Sequence, residues 1–208
     1  MRRICVFAGS HAGKRESYLI AARELGAEIA RRGQGLVYGG ASCGLMGACA
    51  DAALAGGAEV IGVLPRALVS REIAHAGLSE LRIVGSLHER KAAMSSLADA
   101  FVALPGGHGT MDELFEAITW GQLGLHQKPV GLLDADAYFA PLIAFLEHMS
   151  AEGFVRPAFH LIRGRNAREL LDQLLAAPPA AVSPPGPRPL PEPWTAAGAR
   201  CGPRRPRR

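Results

Sequence analysis

The chain has 208 residues, 49% of them hydrophobic, and a formal net charge of +4. That length supports one full core, and the basic balance is local: residues 178–208 hold six arginines against one glutamate, whereas residues 1–177 hold 17 basic and 18 acidic side chains. The body therefore makes no overall charge case for nucleic acid, and no apolar run approaches the ~20 residues of a membrane span.

The predicted elements alternate along the chain. Residues 3–8 read as a strand, and residues 18–32 as a helix with Leu19, Ala22, Leu25 and Ile29 on one face. A strand at 35–38, a small-residue helix at 45–54, a strand at 59–64, a strand at 81–84 and a helix at 87–98 follow. The pattern then predicts a strand at 100–104, a helix at 110–122, a strand at 129–133 and a helix at 138–149. Repeated units of this kind define the α/β class, here a Rossmann-like doubly wound parallel sheet with helices on both faces, in one domain spanning 1–177. Residues 178–208 take ten of the fifteen prolines and little aliphatic content, which predicts a disordered Pro/Arg-rich tail. Its arginines would make at most a weak contact with nucleic acid or another anionic partner. Four cysteines without a CxxC pair, and a first apolar stretch too short for a signal segment, predict a cytoplasmic protein.

Ligands of open parallel sheets sit at the carboxyl ends of the strands. The first strand is followed by Gly9-Ser10, the second by Gly39-Gly40-Ala41-Ser42, the fourth by a helix with Arg90-Lys91, and the fifth by Pro105-Gly106-Gly107-His108-Gly109-Thr110. Glycines at 106, 107 and 109 let the backbone turn sharply and let an anion approach the helix N–H groups; Thr110 reads as the cap of that helix. Glu113, one turn in, places a carboxylate beside whatever the loop binds. A tight turn needs glycine for its own sake, and a first-turn glutamate complements a helix dipole in any protein. The convergence of several such turns and a basic pair on one crevice is what favours a ligand. His88, His108 and His126 lack metal-ligand spacing, so neither a metal nor a cofactor is expected. Asp112 and Glu116 read as solvated positions, Phe115 and Trp120 as core, and Cys43 as a plain thiol.

With these residues in place, the chain resembles the LOG family, the cytokinin riboside 5′-monophosphate phosphoribohydrolases, also labelled lysine decarboxylases. The signature PGGxGTxxE stands as Pro105-Gly106-Gly107-His108-Gly109-Thr110-Met111-Asp112-Glu113, and the His-x-Arg-Lys signature as His88-Glu89-Arg90-Lys91. Tyr38-Gly39-Gly40, Gly44-Leu45-Met46-Gly47 and Lys128-Pro129-Val130-Gly131 are similar too, and the likeness runs over roughly residues 2–175. Leu87 stands where the family has methionine, and Ala41 where it has a third glycine. The resemblance implies hydrolysis of the N-glycosidic bond of a nucleoside 5′-monophosphate, with Arg90 and Glu113 as the catalytic pair. It implies a nucleotide site lined by Glu72, Lys91, Gly107 to Glu113 and Thr119, to which the glycine turns add Gly9, Ser10, Gly39, Gly40 and Gly106. It also implies a homodimer, in keeping with apolar residues on the helices at 87–98 and 111–122 beyond what one sheet face needs. Two alternatives stay open: a general AMP or purine nucleotide nucleosidase for salvage, and a non-catalytic nucleotide or molybdenum-cofactor carrier. Whether Glu113 activates water or only stabilises charge is likewise open. Decarboxylation would require a pyridoxal-phosphate lysine, a role that Lys91 in its Arg-Lys pair does not fit.

Overall fold

Strands and helices alternate through the residues that the computed structural model describes, 2–69, 74–155 and 161–177. In chain order they are β1 (Arg3–Phe7), α1 (Glu16–Arg31), β2 (Gly35–Tyr38), α2 (Gly44–Ala55), β3 (Val60–Pro65) and β4 (Glu80–Val84). There follow α3 (Leu87–Leu97), β5 (Ala100–Ala103), α4 (His108–Gln122), β6 (Val130–Leu133), α5 (Ala140–Ala151), β7 (Leu161–Gly164) and α6 (Ala167–Ala176). The ten regular elements expected before α5 are present with ends shifted by at most two residues. β7 and α6 are additions to the predicted set. The short β7 has a weak apolar signal, but α6 carried a readable start: Asn166 accepts from the Glu169 N–H at 2.9 Å, ahead of buried Leu170, Leu171 and Leu174. Glu72 and residues 178–208, with the tail assignment, lie outside the described residues.

The sheet is seven-stranded and parallel, in the order β4-β3-β2-β1-β5-β6-β7. Side-chain alternation sends successive residues of a strand to opposite layers. Ile4, Val6, Leu36, Tyr38 and Val102 join α1, α2 and α6 on one face, while Cys5, Phe7, Val37, Phe101 and Ala103 join residues of α3, α4 and the segment entering α5 on the other. Burying each such aliphatic side chain is worth roughly 1.5–3 kcal/mol, so both helical layers are held by the sheet rather than by helix propensity.

The strand order also places the crevice. From β1 the chain steps outward through β2, β3 and β4, then crosses back to lay β5 on the other flank of β1. The loops leaving β1 and β5 must therefore diverge to opposite sides, opening a gap at their carboxyl ends. Phe7 pairs with Ala103 in the ladder, and just beyond it the Gly9 N–H donates to the Pro105 carbonyl at 3.0 Å.

Candidate active site

At this switch point the glycine-rich loop enters α4. Gly107, in extended conformation, is the N-cap, and the Met111 N–H returns to its carbonyl at 3.1 Å. By helix geometry the N–H groups of Gly107, His108, Gly109 and Thr110 have no carbonyl within α4 to bond. Thr110 is thus not the cap expected from the sequence. The helix begins two residues earlier, because Gly107 adopts the capping conformation without a side chain, and Thr110 is left inside the first turn, buried. Its Oγ1 occupies the space that a Cβ on Gly106 would need. Gly9 approaches Gly106 almost as closely, so these two glycines serve the crossing of two loops. Gly107 and Gly109 differ from them: a Cβ on either would meet nothing within 4 Å. These two line the open side.

Arg90 comes from the first turn of α3. Ser86 caps that helix by accepting from the Glu89 N–H at 3.1 Å, while Glu89 accepts from the Gly85 N–H at 2.9 Å. The Arg90 side chain is then laid across the ends of β2 and β3, donating from Nε to the Val63 carbonyl at 3.1 Å and from Nη2 to the Gly39 carbonyl at 3.4 Å. Gly39 is required for this: a Cβ there would lie 2.1 Å from Nη2. The guanidinium is nearly inaccessible, and its Nη2 stands 3.9 Å from Oε1 of Glu113, itself 13% exposed. Burying an arginine is tolerable only with such partners around it. Below the pair lies the Cys5 thiol, which burial, reinforced by the Glu113 charge and opposed by that of Arg90, pushes well above the ordinary range. It stays protonated and inert.

Neighbouring Lys91 is engaged differently. Its ammonium lies 2.8 Å from Glu116 and 3.0 Å from Asp112, across the seam between α3 and α4. Burial lowers its pKa, but hydrogen bonds to Glu116 and Asp112 outweigh that and leave it raised. Asp112 and Glu116 are therefore pairing partners rather than purely solvated positions. Phe115 and Trp120 are half-buried rather than core.

The remaining expected residues divide by location. Gly9, Ser10, Gly39, Gly40, Gly106 and the 107–113 segment gather at the carboxyl end of the sheet. The Gly9 carbonyl caps α2 by accepting from the Leu45 N–H, and the Gly40 carbonyl accepts from the His75 N–H. Ser10 and His108 are exposed. Thr119 is not drawn into this group: six residues past Glu113, it is about 9 Å further along α4 and a third of a turn around. It lines, with Phe115, Ile118 and Gln122, a cavity of about 370 Å³ between α4 and α5. Two features had no sequence-level reading. His75 Nε2 sits 2.8 Å from Asp51, tying the segment after β3 to α2, and the Tyr138 hydroxyl reaches the glycine-rich loop. Among the described residues no group of three or more histidine, cysteine or acidic side chains forms a metal-binding cluster.

A seven-stranded parallel sheet wound in both directions from β1, with helices on both faces, makes this a Rossmann-like α/β protein. Residues 46–174 match the family described as "Possible lysine decarboxylase". The chain is 49% identical to the cytokinin riboside 5′-monophosphate phosphoribohydrolase LOG7 of Arabidopsis thaliana, over 83% of this chain and 81% of that protein. It is 50% identical to the LOG enzyme of the same name in Oryza sativa subsp. japonica, over 83% and 72%. This chain belongs to the LOG family. Among solved structures, the molybdenum cofactor carrier protein of Chlamydomonas reinhardtii superposes with a TM-score of 0.62 at 24% identity, covering 85% of this chain and 99% of that one. The molybdenum cofactor binding protein of Rippkaea orientalis gives 0.63 at 22%, covering 84% and 95%. At those identities the likeness concerns the fold alone.

Proposed function

We propose that this chain is a nucleoside 5′-monophosphate phosphoribohydrolase that cleaves N6-modified adenosine 5′-monophosphate to the free cytokinin-type base and ribose 5-phosphate. The observation that carries the reading is the facing of Arg90 and Glu113 beside the open N-terminus of α4, in a chain half identical to enzymes named for that activity. Breaking the glycosidic bond builds positive charge on the ribose and negative charge on the purine. Glu113 supplies the anion beside the sugar and Arg90 the cation beside the departing base, while the N–H groups at 107–110 take the phosphate. Water delivers hydroxyl to the ribose anomeric carbon and a proton to the base. Glu113 serves this step as charge stabiliser, as base toward the water, or as both. At 3.9 Å the two groups are not joined by a tight mutual hydrogen bond.

We propose that the chain works as a homodimer. The 12 residues of α5 include none that is buried, Phe145 is 55% and Phe154 85% exposed, and Leu123 and Leu125 beyond α4 are 64% and 68% exposed. This surplus, larger than that on α3, lies on or just beyond the two helices that flank the cavity holding Thr119, which a second copy would cover. Light scattering at assay concentration should return twice the chain mass, and an active monomer would refute the proposal. A cytoplasmic setting suits the free thiols of Cys5, Cys43 and Cys49, and among the described residues no helix is long and apolar enough to cross a membrane.

The deciding assay compares base release from isopentenyladenosine 5′-monophosphate, AMP and the dephosphorylated riboside. The prenylated nucleotide should be cleaved fastest and the riboside at least about 100-fold less efficiently, since without phosphate the loop donors go unpaired. Comparable rates on nucleotide and riboside would sink the phosphate reading. AMP as the best substrate would make the chain a salvage nucleosidase, and no release from any would make it a carrier.

A further inference from the structure

The turn between β6 and α5 is built at a conformational cost. Asp136 and Ala137 both adopt left-handed backbone, with φ of 50° and 55°, a conformation unfavourable for a non-glycine residue that persists only where neighbours enforce it. Both flanks are pinned. Asp134, 5% exposed, accepts from the Phe139 N–H at 2.8 Å and from Arg163 Nε at 2.7 Å. Across the turn, the Ser17 hydroxyl donates to the Asp136 carboxylate and Arg15 Nη1 stands 3.8 Å from it, tying the turn to the start of α1. The product of this arrangement is the placement of Tyr138. Its ring packs edge-on against Tyr18, centroids 5.6 Å apart, and its hydroxyl donates to the Gly106 carbonyl at 2.5 Å.

That carbonyl belongs to the peptide unit joining Gly106 to Gly107. No cis peptide is present among the described residues, so in this planar trans unit the C=O and the Gly107 N–H point in opposite directions. Between two glycines, a peptide unit meets little steric resistance to flipping. A flip would replace the Gly107 N–H by a carbonyl oxygen on the side where an anion approaches. We propose that Tyr138 is a positioning residue that locks the Gly106–Gly107 peptide, holding the Gly107 N–H toward the crevice and thereby setting affinity for the phosphate of the substrate. This rests on the phosphoribohydrolase reading above for the identity of the anion. The strained turn supplies the tyrosine, the tyrosine orients the peptide, and the peptide presents the donor.

The test measures ribose 5-phosphate affinity by calorimetry on the full chain, with base release from the nucleotide as second readout and thermal unfolding as control for folding. Tyr138→Phe removes the hydroxyl and keeps the ring. It should weaken ribose 5-phosphate about tenfold and raise KM for the nucleotide by a similar factor, with kcat within twofold and affinity for the free base unchanged. Ser17→Ala loosens the turn without touching the loop and should move the same two quantities by about threefold. Wild-type affinity in Tyr138→Phe overturns the proposal. So does an equal loss for base and sugar phosphate, which would mark a general structural defect. If Tyr138→Phe weakens binding while Ser17→Ala leaves it untouched, the hydroxyl is itself a ligand and the positioning role falls. A wild-type chain that neither binds ribose 5-phosphate nor cleaves nucleotide would instead overturn the phosphoribohydrolase reading.

Discussion

Two cation–carboxylate pairs cross the seam between α3 and α4, one residue apart, and they are built to different standards. Lys91 is gripped at 2.8 and 3.0 Å by Glu116 and Asp112, whereas Arg90 and Glu113 stand 3.9 Å apart although both are more deeply buried than Asp112. Arg90 spends its hydrogen bonds on the carbonyls of Val63 and Gly39 instead. The close pair satisfies itself and ties two helices together. In the open pair Arg90 is oriented by backbone carbonyls and faces Glu113 without a tight ion pair, which suits a site where charge must be met in a transition state and not in the resting protein.

The largest effect that breaks this comparison is at the open pair. Glu113→Gln and Arg90→Ala should each lower kcat by roughly 100-fold or more, with the fold retained by circular dichroism, as groups that stabilise transition-state charge in a closed site do. Near-normal turnover in either variant would remove that residue from the chemistry.

At the close pair the effect should appear in stability. Lys91→Met should cost about 1–2 kcal/mol in denaturant unfolding, by leaving Glu116 partly buried without its cation, while KM for the nucleotide changes less than threefold. The opposite outcome, unchanged stability with a tenfold higher KM, would make Lys91 a substrate contact as the family resemblance implies.

A third ion cluster, far from the crevice, sets the scale for pairing with no chemical duty. Glu28 on α1 takes hydrogen bonds from Arg31 and Arg32, and Arg32 reaches on to Asp172 of α6. Hydrogen bonding from Arg31 first, against the opposing effect of burial and with help from Arg32, lowers the Glu28 carboxyl to about 2. A depressed carboxylate contributes stability that is complete above its unfolded value near 4.5 and is lost as pH falls through about 2. Glu28→Gln should therefore cost about 1 kcal/mol at neutral pH and nothing well below pH 2, with base release at neutral pH unchanged. A difference that persists in acid would show that the cluster acts through packing.

Much of this was legible along the chain because it is local. The parallel strands are short apolar runs punctuated by glycine, Ser86 and Glu89 spell a capping box for α3, and the order of the glycine turns and the Arg90-Lys91 pair points to one end of the sheet. α6 is legible in the same way through Asn166 and Glu169, although the predicted set does not include it. α4 starts two residues before the predicted position, because Gly107 caps the helix with backbone alone and such a cap leaves no polar side chain to read. The partners of Lys91, the reach of Arg90 past a missing Cβ on Gly39, and the bond from Tyr138 to Gly106 left no sequence pattern.

The sequence by itself determined the class of fold, the crevice and the residue types available there. Those follow from periodicity, turn chemistry and motif spacing, which act over one or two turns of chain. Tertiary structure decided which charges meet, which glycines are filled space and which are open, and which tyrosine steadies the loop. These are distances between segments up to 140 residues apart, set by how the layers pack on the sheet, and no local rule encodes them.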